Sequence, residues 1–399
     1  MPANEVTATG AGAAMHEGPI ICFPFVGDTL GGSHISTVTL IRGLALEAVQ
    51  PMIVVHEEGP VTAYLRDLGL GYRLLPLPRY VGRDHGLAGH LAALAASLPR
   101  LVRFLRRERI AAVHTNDGRM HLTWVLPARL TGTKLVWHQR NVFDGSRLTG
   151  LMLRLADRVI AISRFVADGL PAAARQSVVV IDNPVEAPSD LDREACRAAL
   201  RRELGLPSDT PLVGLFGNLI DWKRPLLFVE AAAQLAGGRE PAPAFVVFGD
   251  DRGGFRPEME ARAAARGLAG RLHFMGFRRP VWPWLAACDL LLAPAVGEPF
   301  GRTLVEAMLC GVPVVAADSG GHREILRHGE TGLLVPSDDA AAMAAAASGI
   351  LSDFAGRSAM VQRAREMAQE RFAVASHVAR VTDLYRSLLT VSRKGAHAG

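Results

Sequence analysis

The sequence is sparing with cysteine, lysine and aromatic side chains, and each shortage closes off a class of function. Its four cysteines, Cys22, Cys196, Cys288 and Cys310, lie far apart with no CxxC, which argues against a disulfide framework and against zinc. Aromatic residues make up 6% of the chain and no nucleic-acid-binding motif accompanies them, so no nucleic-acid partner is expected. No apolar run approaches the roughly 20 residues that a spanning helix requires. The most apolar stretch, residues 281–296, is broken by Pro283, Asp289 and Pro294. Residues 1–17 contain Glu5 and Glu17 but no basic residue; an export signal opens on a basic segment, so this stretch reads as a disordered leader and the chain as cytoplasmic. Asp-x-Asp at a strand end, the mark of a metal-bound diphosphate, is also missing. Asp250-Asp251 and Asp338-Asp339 are bare acid pairs suited to helix caps or loops.

What is present is material for large cores. Apolar residues make up 49% of the 399 positions and charged residues 21%, which is not the composition of a disordered chain, and the length suits two or three domains. The net charge of +5 is uneven. Residues 1–185 hold 19 basic against 14 acidic side chains, and residues 186–399 hold 25 of each. The excess peaks at Arg100, Arg103, Arg106, Arg107 and Arg109, a patch that suits an anionic membrane surface or an acidic substrate. Only Lys134, Lys223 and Lys394 among the 44 basic residues are lysine, so a lysine at a loop-to-helix junction draws notice.

Short β-branched runs alternate with longer Ala/Leu/Arg-rich segments. Strands are expected at 20–25, 52–56, 112–115, 134–138, 159–162, 178–181, 212–216, 245–248, 272–275, 290–292 and 312–316. Helices are expected at 36–49, 87–107, 225–235 and 303–310. Such alternation indicates βαβ units and parallel sheets covered on both faces. The series breaks once, across the polar, proline-containing segment 186–209, and a fresh βα series begins at Leu212. The expected organisation is α/β: a leader 1–17, an N-terminal Rossmann-like domain 18–185, a C-terminal one 186–372, and C-terminal helices 373–399 that pack back on the first domain and end in a basic tail.

Four clusters carry chemistry. Gly27-Asp28-Thr29-Leu30-Gly31-Gly32-Ser33 follows the first strand and precedes a helix, where paired glycines let N–H groups approach an anion. It is neither GxGxxG nor a P-loop, and a turn capped by Ser33 or Ser36 is the plain alternative. Glu298-Pro-Phe-Gly-Arg-Thr-Leu-Val-Glu306 follows the strand ending near 292. Pro299 and Gly301 set a tight turn at a helix start, so the N–H groups from Phe300 through Gly301, Arg302 and Thr303 to Leu304 form an anion site at a strand's carboxyl end, flanked by two glutamates. Gly217-Asn218-Leu219-Ile220-Asp221-Trp222-Lys223 places one of the three lysines at such an end, and His138 stands at another.

Together these residues resemble the retaining glycosyltransferases of family 4, which have the GT-B fold of two Rossmann-like domains with parallel sheets facing across a cleft. The resemblance runs from about residue 18 to 390 and is strongest from 212 to 336. There the E-x7-E motif stands as Glu298 and Glu306, continuing into Gly311-Val-Pro-Val-Val, Gly320-Gly321-His-Arg-Glu324 and Gly329-Glu330-Thr331-Gly332. The resemblance implies that Glu306 holds the nucleotide ribose and that Glu298, with the backbone of Phe300 and Gly301, contacts the transferred sugar. Lys223 then neutralises the diphosphate, Gly31-Gly32 closes over it, and His138 sits by the reacting carbon. Asn116, Asp117 and Arg140 belong to the first-half loops on the acceptor side. Asn218 stands where the family usually has an arginine, and Arg302, on the first turn of the helix, is the expected substitute cation.

Cleaving a sugar–diphosphate bond puts negative charge on the leaving group, which a cation and fixed N–H dipoles stabilise. No metal or other cofactor is required, and no residue is an evident covalent nucleophile. The expectation is therefore a metal-independent, retaining hexosyltransferase that moves a sugar from a nucleotide-diphosphate sugar to a saccharide, lipid-linked or small-molecule acceptor. Surface polysaccharide, lipopolysaccharide or glycolipid synthesis is the expected setting, with peripheral contact at the cytoplasmic face of the inner membrane. A GT-B relative such as a sugar-nucleotide epimerase, or a non-catalytic sugar-binding scaffold, are the alternatives.

Overall fold

The structure, a computed structural model, describes residues 18–44, 49–78, 80, 86–175 and 177–395; the leader 1–17 and the end of the basic tail lie outside them. The chain forms two compact units, one of residues 1–184 with 374–399 and one of residues 185–373.

Unit one is built on seven parallel strands: β1 (Ile20–Phe25), β2 (Gln50–Val55), β3 (Arg73–Leu74), β4 (Ala112–Thr115), β5 (Lys134–Gln139), β6 (Arg158–Ala161) and β7 (Val178–Val180), in the order β3-β2-β1-β4-β5-β6-β7. Alternate side chains of a strand face opposite sides of the sheet, and here both sides are apolar. Ile21, Phe23 and Phe25 pack with Val38 and Ile41 of the helix Gly32–Leu44, and with Val378, Val381 and Tyr385 of the C-terminal helix Val374–Gly395. Cys22, between them, faces Leu101, Leu105 and Trp124. The chain leaves β1 toward β2 and β3, then returns to build β4–β7 on the other side, so the reversal lies between β1 and β4.

Unit two repeats the plan with six parallel strands: β8 (Leu212–Phe216), β9 (Ala244–Phe248), β10 (Leu272–Gly276), β11 (Leu290–Ala293), β12 (Val314–Ala317) and β13 (Leu333–Val335), ordered β10-β9-β8-β11-β12-β13. Val213 and Leu215 pack against Phe228 and Ala232 of the helix Pro225–Gly237. The reversal falls between β8 and β11, the crevice position where open α/β sheets bind ligands.

The sequence reading differs from these elements in a few places. It omits β3 and β13, which are edge strands of two and three residues, too short to carry a period. The segment 186–209, read as a polar linker, holds a helix, Arg193–Glu203. Asp192 caps it by accepting the N–H groups of Glu194 and Ala195, each at 3.0 Å. The helix expected at 36–49 starts earlier, at Gly32. The helix Leu87–Arg107 has the expected bounds; it buries Leu101 and Leu105 and leaves Arg100, Arg103, Arg106 and Arg107 exposed. Among the described residues no helix is long and apolar enough to cross a membrane.

Candidate active site

In unit two, the carboxyl ends of β8 and β11 bring together residues about 80 positions apart. After β11 the chain turns through Glu298, Pro299, Phe300 and Gly301 into the helix Arg302–Leu309. Gly301 has φ 102°, in the left-handed region, and a Cβ there would lie 3.1 Å from the His322 ring, so glycine answers both constraints. No side chain caps the helix. Leu304 donates its N–H to the Gly301 carbonyl at 2.9 Å, so that N–H is not among the outward-facing groups expected from 300 to 304.

The turn is clamped from below. Gly321 N–H donates to the Glu298 carbonyl at 2.7 Å and Ser319 Oγ accepts from Gly297 N–H at 2.9 Å. A Cβ on Gly321 would come within 2.4 Å of the Phe300 carbonyl oxygen. Gly321 has φ −64°, so its substitution tests contact alone, without backbone strain. Gly321→Ala is expected to lose about 1–3 kcal/mol of stability by overpacking and to displace Glu298, lowering turnover. Gly237→Ala, which meets open space, should do neither. Thermal melts and donor consumption on both variants check this.

Lys223 ends the short 3-10 turn Asp221–Lys223. Its side chain lies along the Gly217 backbone, with Nζ 4.6 Å from the Trp222 ring centre, and donates to Glu298 Oε2 at 2.6 Å. Both side chains are mostly buried, at 19% and 12% exposure. Arg224, next in sequence, points elsewhere and pairs with Asp221. Glu306, just over one turn into the helix Arg302–Leu309, is buried, and burial raises its carboxyl above the usual range while Arg302 and Lys223 oppose that rise. The opposing contact is direct: Arg302 Nε donates to Glu306 Oε1 at 2.8 Å. The sequence reading sent Arg302 to a diphosphate in place of the arginine absent at Asn218. Arg302 sits one helical turn from Glu306 and bonds to it through Nε. Asn218 is half-buried beside Gly217.

Lys223, Glu298, Gly301, Thr303 and His322 line a recess of about 310 Å³ of atom-free space. The sequence reading gave no role to His322. Its buried ring donates from Nδ1–H to the Ala317 carbonyl at 3.1 Å, and burial lowers its pKa. Its only sequence signal was its place after Gly320-Gly321.

In unit one the expected residues gather at the ends of β1, β4 and β5. Gly31 N–H already donates to His34 Nδ1 at 3.1 Å, and the Gly31 carbonyl starts the helix by accepting from Ile35. Asp28 takes two bonds from the Arg119 guanidinium at 2.7 Å each, which holds its carboxyl below the usual range. Asp117 caps the helix Gly118–Thr131 by accepting Met120 N–H at 3.0 Å, and burial raises its pKa. Asn116 and Arg140, expected to face the acceptor, are instead buried framework. Arg140 donates to Asn116 Oδ1 at 2.9 Å, to Asn183 Oδ1, and to His138 Nδ1 at 3.2 Å.

That last bond fixes proton positions. Guanidinium N–H groups only donate, so His138 Nδ1 accepts, and neutral His138 carries its proton on Nε2. His114 Nε2, 3.0 Å from the same Nδ1, must then donate, which leaves His114 Nδ1 to accept from the Tyr385 hydroxyl. Burial and the Arg140 charge hold both imidazoles well below the ordinary histidine pKa. Sequence reasoning found His138 and missed His114, His377 and Tyr385. Tyr385 is separated from His114 by 271 residues, and no local pattern links them.

Residues 30–187 match the model of Glycosyltransferase Family 4, and residues 210–353 that of Glycosyl transferases group 1. The chain is 32% identical over 335 residues to the lipopolysaccharide core biosynthesis mannosyltransferase LpsB of Rhizobium meliloti, covering 79% of this chain and 92% of the relative. It is 31% identical over 366 residues to the 2-deoxystreptamine N-acetyl-D-glucosaminyltransferase of Streptomyces fradiae, covering 85% and 86%. Among solved structures, Anabaena HepE in complex with UDP and glucose matches with a TM-score of 0.75 at 23% identity, over 92% of this chain and 99% of that one.

Proposed function

The chain belongs to glycosyltransferase family 4 and has its two-domain α/β GT-B fold, and on that premise we propose that it is a retaining, metal-independent transferase using a nucleotide-diphosphate sugar. The observation that carries the reading is the pair of cation–carboxylate contacts, Lys223–Glu298 and Arg302–Glu306, at the start of one uncapped helix. Glu306 accepts the ribose hydroxyls. Lys223 and the helix amides take the charge that develops on the departing diphosphate, in place of a divalent cation. Glu298, released from Lys223 when the diphosphate arrives, turns to the sugar. With no evident covalent nucleophile among the described residues, transfer on the leaving-group face with retention is the reading favoured. In unit one, His138 offers a neutral Nε2–H to a substrate hydroxyl.

The LpsB similarity favours lipopolysaccharide or another surface glycan as the acceptor, while the 2-deoxystreptamine relative points to a small-molecule one. The test is a thermal-shift screen against UDP-, GDP-, ADP- and dTDP-sugars, followed by hydrolysis of the stabilising donor without acceptor. Slow release of nucleoside diphosphate and free sugar, unchanged by EDTA, is expected. No shift and no release with any donor rejects transfer and leaves a sugar-binding scaffold, whereas an epimerised nucleotide sugar points to the alternative enzyme.

The exposed arginines of Leu87–Arg107 further support work on a membrane-borne acceptor at the cytoplasmic face of the inner membrane. Each basic residue near an anionic surface contributes roughly 1 kcal/mol. Co-sedimentation with phosphatidylglycerol-containing vesicles is expected at low salt and not at high salt, and a Arg100→Glu/Arg103→Glu/Arg107→Glu variant should remain in the supernatant. Equal binding by that variant would reject the helix as the docking face.

A further inference from the structure

The turn that carries Glu298 is braced by the last residues of its own unit. The helix Phe354–Arg371 ends at Phe372, which donates its N–H to the Ala368 carbonyl at 3.0 Å and is buried. The Phe372 ring meets the buried Phe300 ring edge to face, with centres 5.7 Å apart and planes at 85°. Arg371 lies over the Phe372 ring, 5.0 Å from its centre, and donates to the Glu324 carbonyl. Phe300 belongs to the turn 298–301, and its carbonyl lies so close to Gly321 that no Cβ fits between them. The turn is thus held at Glu298 by Gly321 N–H and at Phe300 by the Phe372 ring.

Phe372 has a second attachment. The chain passes between the units twice, at 184–185 and at 373–374. Val185, the first residue of unit two, donates its N–H to the Phe372 carbonyl at 3.1 Å. One residue therefore joins the two passages through its backbone and reaches the turn through its ring. An edge-to-face pair favours a particular ring angle as well as a distance, so it fixes Phe300 more closely than an aliphatic contact would. We propose that Phe372 is a positioning residue: it ties Phe300, and through it the Glu298 carboxylate, to the joined passages. Glu306 stands within the helix Arg302–Leu309, held by that helix's own hydrogen bonds, and does not follow Phe300. The consequence for sugar transfer rests on the glycosyl-transfer reading, whereas the mechanical link does not.

The experiment is amide hydrogen exchange, read by NMR on the full deuterated chain without ligand. It compares the wild type with Phe372→Leu, Phe300→Leu, the double variant and Phe245→Leu. Phe245→Leu is the control, because it breaks another edge-to-face pair of unit two, Phe228–Phe245 with centres 6.1 Å apart, on a strand outside the turn. In Phe372→Leu the Gly321 amide should exchange about two- to tenfold faster relative to the amides of β8 and β9, the worth of one aromatic pair. In the Phe300→Leu background the same change should add nothing, since residues that act through one contact are not additive. Phe245→Leu should not single out Gly321. UDP-, GDP-, ADP- and dTDP-glucose are then offered as donors. For the one consumed, Phe372→Leu should lower kcat by up to about a hundredfold, as misplaced catalytic groups do, with KM within about twofold of the wild type. Phe245→Leu should keep its kcat. The proposal is overturned by an unmoved Gly321 amide, by additive effects in the double variant, or by an equal loss of kcat in Phe245→Leu. If Phe372→Leu does not fold, Phe372→Met carries the same comparison. If the wild type consumes no donor, the transferase reading fails and exchange alone decides the link.

Discussion

Replacing Glu306 by glutamine is expected to weaken binding of the donor nucleotide sugar about ten- to a hundredfold, because hydrogen bonds to a charged group are worth roughly 1.5–3 kcal/mol. An ionised carboxylate accepts from two ribose hydroxyls at once. A carboxamide accepts at one oxygen and faces the second hydroxyl with a donor. Affinity should also depend on pH in a way particular to this site. Burial raises the Glu306 carboxyl, so on acidification it protonates, and binding fails, at a higher pH than an exposed glutamate would give. That acid limb should vanish in Glu306→Gln. Arg302 then provides an internal control. If its work is to keep Glu306 ionised, Arg302→Leu drives the carboxyl further up, moves the acid limb to higher pH, and leaves affinity recoverable at alkaline pH. A loss of the same size at every pH would instead return Arg302 to the diphosphate. Calorimetry with a sugar nucleotide, whose diphosphate diester does not titrate in this range, reads both outcomes.

Lys223→Ala should leave binding of the nucleoside measurable and cut turnover about 10²–10³-fold, the effect of removing one preorganised group from a developing oxyanion. The same change leaves Glu298, only 12% exposed at its side chain, without its partner, and orphaning one member of a buried pair can cost about 3–5 kcal/mol. Stability and catalysis are therefore entangled in the single variant. Adding Glu298→Gln separates them: the double variant should recover much of the lost thermal stability and none of the turnover. Recovery of both would mean that Lys223 acts only by holding Glu298.

How much of this was open to a reader of the sequence depended on distance along the chain. Glu298 and Glu306 were legible because one tight turn and little more than one helical turn join them, and local rules carry that far. Lys223 stood out because lysine is scarce here. That its Nζ meets Glu298, 75 positions away, follows from β8 lying beside β11, and sheet order is not written in any window of sequence. The short edge strands β3 and β13 escaped for want of length. Arg302 is a different case, since its partner was visible at i,i+4, a spacing that pairs side chains on one helix face. The vacancy left by Asn218 points the same side chain toward phosphate, while its Nε meets Glu306. Arg140 was legible only as a strand-end residue, because the two asparagines it bonds come from elsewhere in the chain.

The helix that supplies Tyr385 and His377 also sets an order of events during synthesis. Most of unit one precedes unit two along the chain, yet part of its core, Val378, Val381, Tyr385 and Leu388, follows it. Between residue 184 and residue 374 the ribosome makes all of unit two, which at roughly 5–20 residues per second takes about 10–40 s. Throughout that interval the apolar face of β1 stands without its final cover, while unit two, continuous in sequence, has everything it needs to fold. The half of the protein made first is thus completed second. A chain released early would hold a complete unit two and, in unit one, a sheet with one face uncovered.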